Sequence, residues 1–277
     1  MGLEARKYVV DPEDPRAPPD AIWDAMSEAE REEVCAALPS EVPFHLLPDG
    51  DLHLDAMLST RDVLKRHVKR RRKGLYIANN LMVYYPTERS FAPDLFAVRD
   101  VPLHPRRSWM VRREGRGLDF ALEIHVEGSK KKDFLRNPAL FARLGIHEYF
   151  AVDLPRRMLR GYRLPDSNAA VYQSLVPQGG MFYSEILDLE IGLEGDRVRF
   201  FSEGAPMLET HEIAVRAQGA LDEAMATIER EHERAEAERE RAEAERERAE
   251  AERERADQAE AALAALQRQL AALKSTD

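Results

Sequence analysis

The sequence predicts an α/β fold, with a central mixed β-sheet flanked by helices and a long charged helix at the C-terminus. Three observations lead there. Between residues 75 and 164, five short runs rich in Val, Ile, Tyr and Phe are separated by Pro, Gly or charge clusters, the pattern of strands. Before and between these runs the apolar residues return at helical spacing. From about residue 206 the pattern becomes a seven-residue repeat, RAEAERE, starting at Arg234, Arg241 and Arg248.

Taken in order, a Pro/Asp-rich lead (DPEDPRAPPD) precedes an amphipathic helix from about Ala21 to Leu38, in which Ile22, Met26, Val34 and Leu38 share a face. A second helix, roughly Leu54 to Lys73, carries Leu54, Met57, Leu58, Val63, Leu64 and Val68 on its apolar side and a basic run on the other. Strands follow at Leu75 to Tyr85, Pro93 to Val98, Leu118 to Val126, Glu148 to Asp153 and Met158 to Leu164. The segment NPALFARLG, from Asn137 to Gly145, reads as a helix with an Asn cap, Pro at the first helical position and Gly past its end. Later runs at Val171 to Gln173, Gly192 to Glu194 and Val198 to Phe201 read as edge strands or hairpins. In the tail, one heptad position holds Leu221, Ile228, Ala235, Ala242, Ala249, Ala256, Leu263 and Leu270, and the other seam position holds Ala259, Leu266 and Leu273. Between them the second seam position is Glu238, Glu245 and Glu252, so that stretch depends on Glu and Arg pairs three and four residues apart. It reads as either a solvated single helix or a weak coiled coil, with the terminal leucines favouring a homo-oligomer.

These elements divide the chain into a lead and helix (1–37), a globular α/β domain (38–205) and the heptad helix (206–277). With 33% charged residues and a mean hydropathy of -0.52, the chain is too polar for one compact domain of 277 residues, and the tail accounts for the excess. A single cysteine, Cys35, excludes an internal disulfide and a Cys-rich zinc site. No window approaches the apolar length of a membrane span, and the first residues lack a signal-peptide apolar region, so a soluble, cytoplasmic protein without a membrane partner is expected. The net charge of -10 is unevenly placed: residues 206–277 hold 19 acidic and 11 basic side chains, leaving 32 and 30 in the remainder. Within that near-neutral body the bases are clumped, most densely in RDVLKRHVKRRRK from Arg61 to Lys73. A local basic face is therefore compatible with global acidity.

The chemically unusual stretch is LEIHVEGSKKKD, Leu122 to Asp133. Strand alternation puts Phe120, Leu122 and Ile124 on one face and Glu123 and His125 together on the other. One side wetted by solvent, as in an antiparallel strand, produces the same alternation. A second carboxylate, Asp94, stands after Pro93 at the mouth of the preceding apolar strand. Carboxylates from two strands form a hard oxygen site of the kind that suits Mg²⁺ or Mn²⁺.

Pro93-Asp94 and Glu123-x-His125 on successive strands resemble the core of the PD-(D/E)xK nuclease fold. The ordered segments YYP before APD, GLDFALEIHVEGSKKKD, FARLGIHEYFAVD and RMLRGYRL resemble the Uma2 family (DUF820) of restriction-endonuclease-like proteins over about Leu38 to Phe201. The resemblance implies a restriction-endonuclease-like core and a Mg²⁺- or Mn²⁺-dependent endonuclease acting on DNA. Asp94, Glu123 and the Ile124 carbonyl would hold the metal. Where the general motif has lysine two residues after the glutamate, this chain has His125, which suits a further ligand, a general base or a structural role equally. Where many relatives carry a lysine on the following helix, this chain has Asn137, so Lys130, Lys131 and Lys132 are the available replacements. The expected catalytic set is thus Asp94, Glu123, His125, Lys131 and Lys132, with Lys65, Lys69, Arg70, Arg72 and Lys130 on nucleic acid. His53, at the start of the second helix, matches a position often held by His in the family, which leaves two readings, an approach to the metal or a simple N-terminal helix residue. The alternative is a nuclease fold that has lost turnover and acts as a binding or scaffold module through its coiled-coil tail.

Overall fold

The computed structural model describes residues 8–43, 46–71, 74–127 and 131–274. Two compact units emerge, residues 1–210 and 211–277.

The first unit opens with α1 (Asp20–Ala25) and α2 (Glu28–Ala37), where one helix was expected. The break has a local cause. Ser27 is extended and caps α2, its hydroxyl accepting from the Glu30 N–H while the Glu30 carboxylate accepts from the Ser27 N–H. This reciprocal box satisfies two helix-end donors at once, which outweighs continuing α1 through Ser27. Next, α3 (Asp51–Arg71) buries Met57, Val63, Leu64 and Val68 and leaves Arg61, Lys65 and Lys69 on its outer side.

The strand expected from Leu75 to Tyr85 is two strands. β1 (Leu75–Ala78) stops at a turn in which Asn80 takes φ +44, and β2 (Val83–Tyr84) resumes in a different pairing. Asparagine tolerates this left-handed conformation better than the apolar residues around it. β3 (Leu95–Arg99), β4 (Trp109–Met110), α4 (Val111–Glu114) and β5 (Phe120–His125) follow. A π-helical turn, Lys132–Arg136, then runs into α5 (Asn137–Arg143). Asn137 is therefore not a helix cap: its backbone is helical and its side chain is buried. The chain continues through β6 (Glu148–Asp153), β7 (Met158–Arg163), β8 (Gln173–Ser174), β9 (Phe182–Ser184), β10 (Leu189–Glu194), β11 (Arg197–Ser202) and β12 (Ala205–Pro206).

The six-stranded sheet has the order β1-β3-β5-β6-β7-β8, and only β5 and β6 are parallel. The mixed central sheet of the predicted α/β class is present, joined by a four-stranded sheet, β12-β11-β10-β9, and a short β2-β4 pair. β5 lies in the middle and is buried along its whole length on both faces. The solvent-wetted face that alternation allowed does not exist. α3 and the second sheet cover Phe120, Leu122 and Ile124, and the opposite face packs Ala121 with Phe141 of α5 and Trp109. The two sheets are joined by Glu148, which has no solvent exposure. Its carboxylate accepts from Ser184 Oγ, the Glu185 and Ile186 N–H groups and Arg163 Nε. A buried carboxylate is tolerable here because every lone-pair direction finds a donor.

The second unit is α6, one continuous helix from Thr210 to Lys274. Among the described residues, no helix is long and apolar enough to cross a membrane.

Candidate active site

The β3 and β5 register pairs Leu95 with Leu122. Carried one residue further, it sets Asp94 opposite Glu123 on the same face, where cross-strand Cβ atoms are roughly 5 Å apart. Asp94 just precedes β3, so the edge of β5 beyond Leu122 has lost its strand partner. The Asp94 carboxylate fills that place, Oδ2 accepting the Ile124 N–H at 2.6 Å. A residue's N–H and C=O point to the same side of a strand, so the Ile124 carbonyl faces the Asp94 side as well. The Ile124 side chain itself lies in the core on the other face.

Asp94 is also held by His53, whose Nε2 lies 3.0 Å from Oδ2. The Asp49 N–H donates to His53 Nδ1 at 2.9 Å, which fixes Nε2–H as the donor toward Asp94. Burial disfavours the charged imidazole, but the hydrogen bond and charge of Asp94, with Asp49 and Asp133 behind it, outweigh that and raise the His53 pKa.

Glu123 is 3% exposed. Burial raises its pKa well above the ordinary glutamate value, and the Asp94 charge raises it further, against the opposing pull of Lys132. Two residues of the following helix reach it. Asn137 Nδ2 donates to Oε1 at 3.2 Å, and Lys132 Nζ stands 3.8 Å from Oε2. The π-helical turn makes this possible. Its wider winding closes a bond from the Asn137 N–H to the Lys132 carbonyl five residues back, bringing both side chains to one side of the helix. The Glu123 charge raises the Lys132 pKa, so this lysine is an ammonium at neutral pH. Asp133, on the same turn, completes the cluster. Its Oδ2 is 3.6 Å from His125 Nδ1, and its buried Oδ1 has no hydrogen bond, Lys132 Nζ being 3.9 Å away. Burial raises the Asp133 pKa.

Asp94, Glu123 and Asp133 therefore crowd one end of the sheet against, among the described residues, one lysine and two histidines. Burial raises the Glu123 and Asp133 pKa values, the neighbouring Asp94 charge adds to this, and one Asp133 oxygen is left without a donor, so the site favours added positive charge. A divalent cation fits that preference. No three His, Cys, Asp or Glu side chains among the described residues enclose an ion by themselves. A Mg²⁺ site needs no such cage, since this ion keeps several waters and is bound through one or two carboxylates.

The expected residues divide as follows. Asp94, Glu123, His125 and Lys132 meet in this cluster, together with His53. Lys131 is exposed on the turn beside it, while Lys130 and Arg72 lie outside the described residues. Lys65 and Lys69 line a cleft of 820 Å³ along the free edge of β1, with Arg61 in the same row. Spaced four residues apart, these three form a line with about 6 Å between successive charges, and none has an ion-pair partner among the described residues. Burial and the neighbouring Arg61 lower the Lys65 pKa. The cleft extends to Asn79, next to the Asn80 N–H that donates to the Pro93 carbonyl beside Asp94. Arg70 is exposed at the end of α3 and does not line the cleft.

A family model, Uma2, "Putative restriction endonuclease", matches residues 23–196. The chain belongs to the Uma2 family. A solved structure, described as a putative nuclease belonging to DUF820 from Anabaena variabilis, is similar at 14% identity over 51% of this chain and 75% of that one, with a TM-score of 0.39. No curated protein matches. In this Uma2 chain, Asn137 and Asp133 were missed as contributors to the site. Asn137 was marked only as a lysine lost, and its amide in fact sits on Glu123. The signal available in the sequence was its position, one helical turn past the three lysines.

Proposed function

We propose that the chain is a divalent-cation-dependent endonuclease that hydrolyses DNA phosphodiester bonds. The observation that carries this reading is the placement of Lys132 against Glu123, opposite Asp94, in a cluster where three carboxylates outnumber the cations among the described residues. Asp94, Glu123 and the Ile124 carbonyl would hold Mg²⁺ or Mn²⁺. When bound, such an ion supplies Lewis-acid polarisation of the scissile phosphate and acidifies water. His53 and the Ile124 N–H hold Asp94 through Oδ2, which would leave its other oxygen available to an ion. Asn137 orients Glu123 through Oε1. Lys132 donates to a phosphate oxygen as charge accumulates there. Being half-exposed, it can swing from Glu123 to the phosphate. Arg61, Lys65 and Lys69 line the approach, where rows of cations neutralise a nucleic-acid backbone.

Nicking of supercoiled plasmid in Mg²⁺ or Mn²⁺ tests the proposal. Wild type is expected to nick, with Asp94→Ala and Glu123→Ala slower by at least about 100-fold. Nicking equal in wild type and both variants would remove it. The neutral amide of Asn137 where relatives carry a lysine favours the second reading, a module that binds DNA without turnover. That reading predicts salt-sensitive DNA binding with no cleavage in either metal. We further propose that the C-terminal helix pairs two chains, on the strength of its apolar positions at both ends.

A further inference from the structure

Along α6, Leu221, Ile228, Leu263 and Leu266 are each more than half exposed although they repeat in one heptad phase. Exposed large apolar side chains in register mark an interaction face. The same phase gives the first seam position Ala214, Leu221, Ile228, Ala235, Ala242, Ala249, Ala256, Leu263 and Leu270. The second holds Ala217, Ala224, Glu231, Glu238, Glu245, Glu252, Ala259, Leu266 and Leu273.

We infer that this face pairs with the same face of a second copy running antiparallel, centred between Glu243 and Ala244. The inference rests on the proposed self-association and specifies its geometry. In a parallel pair each seam position meets itself, so Glu231, Glu238, Glu245 and Glu252 would each face an identical carboxylate, in every second layer across the middle of the helix. In an antiparallel pair the first seam position meets the second of the partner. Residues whose numbers sum to 487 then share a layer: Ala235 with Glu252, Ala242 with Glu245, Ala249 with Glu238, Ala256 with Glu231. Every glutamate then lies on an alanine. The methyl leaves space for the carboxylate to turn outward to the arginines flanking the seam, Arg241 and Arg246 in the central layers.

Side-chain volume points the same way. Antiparallel layers set Ile228 on Ala259 and Leu263 on Ala224, with Leu221 on Leu266 as the one large pair. Large against small keeps the helix axes evenly spaced. A parallel pair would set the wide Leu263 and Leu266 layers directly beside the narrow Ala256 and Ala259 layers, and interaxial distance follows the side chains at each contact. Antiparallel pairing also puts the two residues numbered 210, where the first unit joins α6, at opposite ends of a rod of about 100 Å.

Disulfide trapping in the full-length chain distinguishes the arrangements. In a Cys35→Ser background, Ala235→Cys and Glu252→Cys proteins are prepared separately, mixed and oxidised, with sedimentation of each sample in parallel. The antiparallel pair predicts a dimeric mass throughout and a disulfide-linked dimer only in the mixture. Within either variant alone the two cysteines would be separated by about 25 Å of helix rise, far beyond disulfide reach. Linking of each variant to itself would overturn the antiparallel arrangement while leaving self-association intact. A dimeric mass with no linked product in the mixture would overturn this register. A monomeric mass at every concentration would overturn both the inference and the self-association it rests on, without touching the nuclease reading.

Discussion

At the scale of single residues, the two carboxylates were readable from sequence because a charge inside an apolar strand is conspicuous. Their helpers were harder to read. His53 and Asn137 come from different helices, and nothing local announces that His53 meets Asp94 at 3.0 Å or that Asn137 meets Glu123 at 3.2 Å. The sequence leaves three lysines open; Lys132 stands 3.8 Å from Glu123, a reach that depends on the π-helical winding, which composition does not encode. Lys132→Ala is therefore expected to slow cation-dependent nicking by about 100-fold, with Lys131→Ala at the wild-type rate. The reverse order would show that the wrong lysine has been assigned. A second expectation concerns pH. Burial and the Asp94 charge make Glu123 bind its proton more tightly in the folded chain than in the unfolded one. Its contribution to stability is complete below the ordinary value of 4.5 and is lost as pH rises through the higher folded value. In buffer with a chelator, Glu123→Gln, which cannot ionise, should gain stability relative to wild type as pH rises above the ordinary glutamate value of 4.5 toward the raised folded one. Urea denaturation reads the difference, and a gap independent of pH would contradict the assignment.

At the scale of elements, strands with a continuous apolar run were legible almost to the residue, as with Glu148–Asp153. Boundaries set by side chains acting on the backbone were not. The Ser27 capping box split one expected helix, and the Asn80 turn split one expected strand, because both depend on what the following residues pack against. Core residues such as Trp23, Val34 and Leu38 serve Met82, Tyr84 and Met110 of a separate cluster, which no periodicity within α1 or α2 could specify. The tie between the two sheets was equally hidden. Glu148 reads as an ordinary charged residue at the start of a strand, yet four hydrogen bonds converge on it. Glu148→Ala should cost about 3 kcal/mol by leaving Arg163 and three further donors without their acceptor. Denaturant unfolding measures it, and a loss within error of zero would mean that the sheets are held by apolar packing alone.

At the scale of the whole molecule, the heptads and the separation of charge mark the charged helix in the sequence, because neither depends on tertiary contacts. The proposed role of that helix makes a direct prediction. Full-length protein should sediment as a dimer and residues 1–210 as a monomer, and equal monomeric masses would contradict it. The central claim, however, is that the end of the sheet where Asp94 faces Glu123 holds a divalent cation. The measurement that tests it most directly is the anomalous difference map of a crystal soaked in Mn²⁺. The account predicts a single strong peak within coordination distance of Asp94, Glu123 and the Ile124 carbonyl, absent in Glu123→Ala. A map with no peak there in the wild-type protein, its carboxylates still facing each other, would contradict it.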